Sequence, residues 1–222
     1  MDKPHRIRRA TGPGRPRNRA PGLVRAALLA AARRHIAAHG VGAACLRDIT
    51  HEAGVTPAMI AYHFGDKQGL YEAMLTETVG PVLAHLSAAL TVDAEPDLEL
   101  LLSRYVNTLA ANPWLPQLIV REVFTEGGVF RARFIEGFAK RGGGLLIALI
   151  KREQSAGRFR KDLDAKRAAQ ALLSLALFPF IALPVTREVF GMQTDAAWLK
   201  GHVADLARLY KDGMRAPARS RR

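Results

Sequence analysis

Residues 46–75, Leu-Arg-Asp-Ile-Thr-His-Glu-Ala-Gly-Val-Thr-Pro-Ala-Met-Ile-Ala-Tyr-His-Phe-Gly-Asp-Lys-Gln-Gly-Leu-Tyr-Glu-Ala-Met-Leu, are punctuated at Gly54 and Gly65 into three runs. In the first, Leu46, Ile49 and Ala53 recur at i, i+3 and i+7, which predicts a helix with one buried face. Arg47, Asp48, His51 and Glu52 fall on its wet side. Gly54 stands where a helix C-terminus calls for a left-handed residue, which glycine reaches without steric cost. Val55 is an apolar plug, and Thr56-Pro57 reads as an N-cap followed by proline at the first helical position. The second helix then runs from Pro57 to Phe64, with Ile60 and Phe64 inward. Asp66 caps a third helix that begins at Lys67.

Two short helices about a glycine turn, braced by a third, make a helix-turn-helix, and its partner is double-stranded DNA. The N-terminal part of the second helix enters the major groove in such a unit. Thr56, Pro57, Ala58, Met59, Ala61, Tyr62 and His63 fall on its outer side. Small residues let the backbone approach, and the Thr56 hydroxyl suits a phosphate or a base edge. Tyr62 and His63 each offer one hydrogen-bonding tip to phosphate. Lys67 adds a cation at a helix N-terminus, where free amides already attract phosphate. Arg47 completes the set from the first helix. The competing reading is an ordinary αα-corner, with Tyr62 as packing and His63 in an interhelical hydrogen bond.

The segment from about Leu23 to Leu75 closely resembles the DNA-binding domain of the tetracycline-repressor (TetR) family of bacterial regulators. The matching residues are Leu28, Ala31, Ala32, Ile36 and Gly40, then Ile49, Ala53-Gly54-Val55, Tyr62-His63-Phe64, Lys67 and Leu70. The resemblance implies a recognition helix over Thr56–His63 and a phosphate contact from Lys67. It further implies an all-α chain whose C-terminal helices bind a ligand and pair two subunits as a four-helix bundle. Three positions depart from the family pattern. Cys45 replaces a capping Thr or Ser, Ala61 stands where Tyr is commonest, and Ile36 replaces a Phe.

The chain has 222 residues and a net charge of +13, unevenly spread. Residues 1–19 carry +6, residues 20–67 carry +2, residues 68–207 are neutral and residues 208–222 carry +5. A basic arm beside a DNA-reading helix is what phosphate neutralisation calls for. Residues 1–21 are expected to be disordered when free. Within them Pro13-Gly14-Arg15-Pro16-Arg17 resembles the core of an AT-hook, which places Arg15 and Arg17 in a narrow minor groove. The alternative is a solvated arm that adds only nonspecific affinity, and residues 215–222 are read as a solvated basic tail.

Other classes find little support. No apolar run is long enough to cross a bilayer, so no membrane partner is expected. The lone Cys45 fits a reducing cytoplasm. Scattered histidines and the absence of Gly-x-Ser-x-Gly, His-Glu-x-x-His or a cysteine pair argue against an enzyme, a cofactor or a metal. His35 and His39 have chelating i, i+4 spacing, but they lie on a helix whose match is structural.

From Gly69 the pattern stays helical, with one domain expected over 22–68 and a second, for ligand binding and dimerisation, over 69–214. Helices are expected to about Leu90 with a kink at Gly80-Pro81, over Asp97–Ala111, Trp114–Thr125 and Phe130–Ala156. Others cover Asp164 to about Val189, interrupted by Pro179 and Pro184, and Asp195–Met214. Tyr105, Trp114, Leu118, Phe130, Phe134, Phe138 and Phe178 either line a pocket for a small apolar effector or form plain core. Gly142-Gly143-Gly144 inside a helix points to close approach of another helix. Gly143, Leu146, Leu173, Leu177, Phe180 and Ile181 are the expected homodimer contacts. The sequence thus reads as a cytoplasmic, homodimeric transcriptional regulator, a repressor released by its effector. A nonspecific DNA-coating protein and a helical small-molecule enzyme are the rivals.

Overall fold

Aspartates set the starts of four helices in the computed structural model, which describes residues 21–39, 45–91, 95–128 and 130–215. Asp66, Asp97, Asp164 and Asp195 each accept a hydrogen bond from the amide three residues on, at 2.6, 2.9, 2.9 and 2.9 Å. Each satisfies a backbone donor that the first helical turn leaves unpaired. The helices so started are α4 (Lys67–Ala89), α5 (Leu98–Ala111), α9 (Ala165–Ile181) and α11 (Ala196–Met214). Before them come α1 (Pro21–His39), α2 (Leu46–Ala53) and α3 (Ala58–Phe64). Between them lie α6 (Trp114–Leu118), α7 (Arg131–Phe134), α8 (Lys140–Ser155) and α10 (Leu183–Phe190). Arg15, Arg17 and Gly40 lie outside the described residues.

Two expected helices are interrupted by π turns. The run from Trp114 becomes π-helical at Ile119–Phe124, and the run from Phe130 does so at Ile135–Ala139. A π turn holds an extra residue and survives only where tertiary contacts support it. The first is held by Arg131, whose guanidinium donates to the Val123, Phe124 and Thr125 carbonyls. A third break is proline chemistry. Pro184 lacks the N–H that would meet the Phe180 carbonyl, so the chain turns by 85° at Ala182 and restarts as α10. Pro81 and Pro179, by contrast, are carried inside α4 and α9.

One apolar cluster runs through the described residues from Val24 to Met214. Its centre is α4, where Leu70, Tyr71, Met74 and Leu75 are at most 1% exposed. Three polar ties fix the same helix. Asp66 at its start pairs with Arg133. Glu77 in its middle pairs with Arg25 and Arg33 of α1 at 2.6 and 2.9 Å. At its end the Ala89 carbonyl accepts from Arg152, which also pairs with the fully buried Glu153. The close approach expected at the triple glycine is made by Gly142 alone. A Cβ there would lie 3.1 Å from Leu83 of α4, while one on Gly143 or Gly144 would meet nothing within 4 Å.

Candidate nucleic-acid interface

The turn between α2 and α3 forms as its residues dictate. Gly54 is left-handed at φ 67°, and its amide and that of Val55 close onto the His51 and Thr50 carbonyls. Ile49 and Ile60 are 0% and 2% exposed, and Val55 and Phe64 pack partly buried on the same core. The start of α3 differs from expectation. Pro57, not Thr56, occupies the capping position, and no side chain caps it. The Met59 and Ile60 amides bond to the Thr56 and Pro57 carbonyls at 3.0 and 3.1 Å, a tight opening turn that leaves the Thr56 hydroxyl outside the helix.

Thr56, Pro57, Ala58, Ala61 and Tyr62 are exposed, Tyr62 at 73%. Arg47 is exposed on α2. Met59, expected outside, is partly buried against the core. His63 is half-buried, its Nε2 shielded and without a hydrogen-bond partner, and its ring meets Tyr62 edge-on at 4.8 Å. Lys67 opens α4 with its ammonium 5.6 Å from the Tyr71 ring. Cys45 caps α2 with its backbone carbonyl only, and its thiol is exposed.

The join between α3 and α4 is tight. A Cβ on Gly69 would lie 1.9 Å from the Phe64 carbonyl oxygen, so only glycine fits there. Beside it the Asp66 carboxyl is held below its ordinary range, first by the Gly69 amide, which outweighs desolvation, with a further lowering from Arg133. Arg133 donates to both Asp66 oxygens at 3.0 Å. No local pattern could foretell that contact, since 67 residues separate the pair. His35 is paired with Glu52 at 2.8 Å, and among the described residues no cluster of three or more potential metal ligands occurs.

Residues 28–74 match the family model described as bacterial regulatory proteins, tetR family. Residues 28–74 therefore carry a DNA-binding domain like that of the TetR family. No curated protein sequence matches it. Solved structures share the fold along nearly their whole lengths. NalD of Pseudomonas aeruginosa, a secondary repressor of a multidrug efflux pump, superposes with TM-score 0.69 at 22% identity, over 89% of this chain and 98% of that one. A fatty acid degradation regulator, FadR, from Bacillus halodurans gives 0.67 at 20%, over 89% and 97%. A SmeT–triclosan complex gives 0.69 at 18%, over 88% and 93%.

The remaining candidate residues divide between core and surface. Trp114, Leu118, Phe130 and Phe138 are at most 9% exposed, Tyr105 and Phe134 are partly buried, and all six belong to the one apolar cluster. Phe134 and Phe138 stack at 6.2 Å, and burial pushes the Tyr105 phenol up to about 12. Phe178 does not join them. It is 59% exposed on the outer face of α9, because its helical phase lies opposite buried Leu172 and Ala176. Leu146 and Phe180, expected at a subunit interface, are each 6% exposed and buried within the chain. Leu173 is 38% exposed, and Leu177 and Ile181 are partly covered. The open apolar face instead comprises Ala171, Leu175 and Phe178 on α9, with Leu209 on α11 beside a groove of about 360 Å³.

Proposed function

We propose that the protein is a dimeric, ligand-responsive repressor that reads a pseudo-palindromic operator in the cytoplasm. The carrying observation is the surface of α3: Thr56, Pro57, Ala58, Ala61 and Tyr62 lie exposed on a helix whose inner face is fixed by Ile60. Thr56 and Tyr62 offer hydrogen bonds from that surface, and Arg47 and Lys67 flank it for phosphate. The arginine arm supplies further neutralisation. Two copies pair through the α9–α11 face, which sets the spacing of their α3 helices to successive major grooves. The aromatic residues Tyr105, Trp114, Phe130, Phe134 and Phe138 receive a small apolar effector, and that guest binds the DNA-incompetent arrangement more tightly. The chain does no chemistry on its ligand.

The test begins with enrichment of a random-sequence duplex library on the full chain, followed by footprinting of the enriched duplex. A symmetric, confined footprint is expected. Thr56→Ala and Tyr62→Ala should each weaken binding by about 1–3 kcal/mol while unfolding normally. Uniform coverage of any duplex, set by the +13 charge alone, would mean a DNA-coating protein instead.

A further inference from the structure

We propose that Arg133, though it lies in the effector half of the chain, is a positioning residue for DNA binding. Its fork on Asp66 orients the start of α4 and cancels a carboxylate that would otherwise face the phosphate backbone. The inference rests on the DNA-binding reading above. Asp66 sits between the recognition helix and Lys67, and its side chain is 52% exposed. An unpaired carboxylate there lies well within a Debye length (about 8 Å) of any phosphate that Lys67 engages, and opposes it. Arg133 meets both carboxylate oxygens in parallel at 3.0 Å, the geometry in which guanidinium–carboxylate pairs are strongest.

The segment that carries Arg133 is also built to move. Helix α7 has four residues and ends at the π turn Ile135–Ala139. Its inner side is pinned to α4, where the buried Phe130 ring meets Tyr71 edge-on at 5.9 Å. Its outer side is pinned to α4 by Arg133 and Asp66. Reversion of the π turn to α-helix would shift the register by one residue and rotate α7 by about 100° against α8. Arg133 would then leave Asp66.

The test uses the full chain and the enriched duplex described above. The variants are Arg133→Gln, Asp66→Asn and the two combined, since asparagine keeps the cap on Gly69 while losing the charge. Arg133→Gln is expected to weaken duplex binding about 2- to 5-fold, within what a well-formed partly exposed pair carries. The double variant should recover most of that loss, because the carboxylate is no longer there to repel phosphate. In the double variant the slope of log K against log salt should match the parent's, because the screened repulsion is gone. An Arg133→Gln variant that binds as the parent does overturns the proposal. So does a loss that Asp66→Asn does not rescue and that comes with a slope lower by about one, which would make Arg133 a direct phosphate contact. Failure of the parent chain to enrich any duplex would instead strike the DNA-binding reading itself.

Discussion

Two glycines in this chain do opposite work. Gly69 is where the carbonyl of Phe64 rests, 1.9 Å from the place a methyl would occupy. Gly143 faces open space on α8 and contributes only backbone freedom. Gly69→Ala should therefore destabilise the protein by roughly 2–3 kcal/mol or more, since backbone on both sides must shift. Gly143→Ala should stabilise it by roughly 0.5–1 kcal/mol through helix propensity. Urea midpoints of the two variants provide the check, and equal effects would show that the α3–α4 join is looser than its geometry. The sequence made Gly54 and Asp66 legible because a left-handed cap and an N-cap are local chemistry. It misassigned the cap of α3: threonine suits that position by type and proline the one after it, yet no side chain caps the helix that forms.

Among the elements, α4 and α8 are joined most firmly at the end farthest from α3. Glu153 of α8 is fully buried and paired with Arg152 and Arg158, and Arg152 reaches the last carbonyl of α4. Burial pushes the Glu153 carboxyl up, but the two guanidiniums outweigh it and hold the group below its ordinary range. A carboxyl lowered on folding adds stability above its unfolded value of about 4.3, and that stability is lost as pH falls through the folded value. Glu153→Gln is expected to lose about 2–4 kcal/mol at neutral pH and to show a shallower acid limb than the parent. Denaturant titrations from about pH 7 down to about pH 3 measure both, and parallel limbs would remove Glu153 from the account. The two π turns stayed invisible to periodicity, because the phase shift of about 100° that one extra residue brings falls within segments of only six and five residues, too short to read as a change of period. What sustains the first of them is the Arg131 fork on three carbonyls, a tertiary contact.

At the scale of the whole molecule, the outward apolar face decides the working unit. Leu175, Phe178 and Leu209 are 49%, 59% and 70% exposed, and Leu175 and Leu209 border one groove that a second copy would cover. Phe178→Asp should raise the dimer dissociation constant at least about 100-fold, as loss of a central aromatic anchor does. Sedimentation of the variant as a monomer at micromolar concentration is the expected reading, and a species of unchanged mass would move the interface elsewhere. The helical phase of residues 165–181 was legible, yet sequence could not say which apolar side meets the chain's own core and which meets a partner. Phe178 and Phe180, two residues apart, were assigned to opposite roles for that reason.

The turn at Ala182 reaches beyond packing. Among the described residues no single helix is long and apolar enough to cross a membrane, but α9 and α10 together satisfy that test apart from their 85° bend. Straightened, residues 165–190 would measure roughly 39 Å, more than the apolar thickness of a bilayer at about 30 Å. Pro184 withholds the amide that would continue the rod, and the buried Thr186 hydroxyl lies within 3.0–3.3 Å of the Pro179, Ala182 and Leu183 carbonyls. The bend thus leaves legs of 17 and 8 residues where a straight helix would have run unbroken from Ala165 to Phe190.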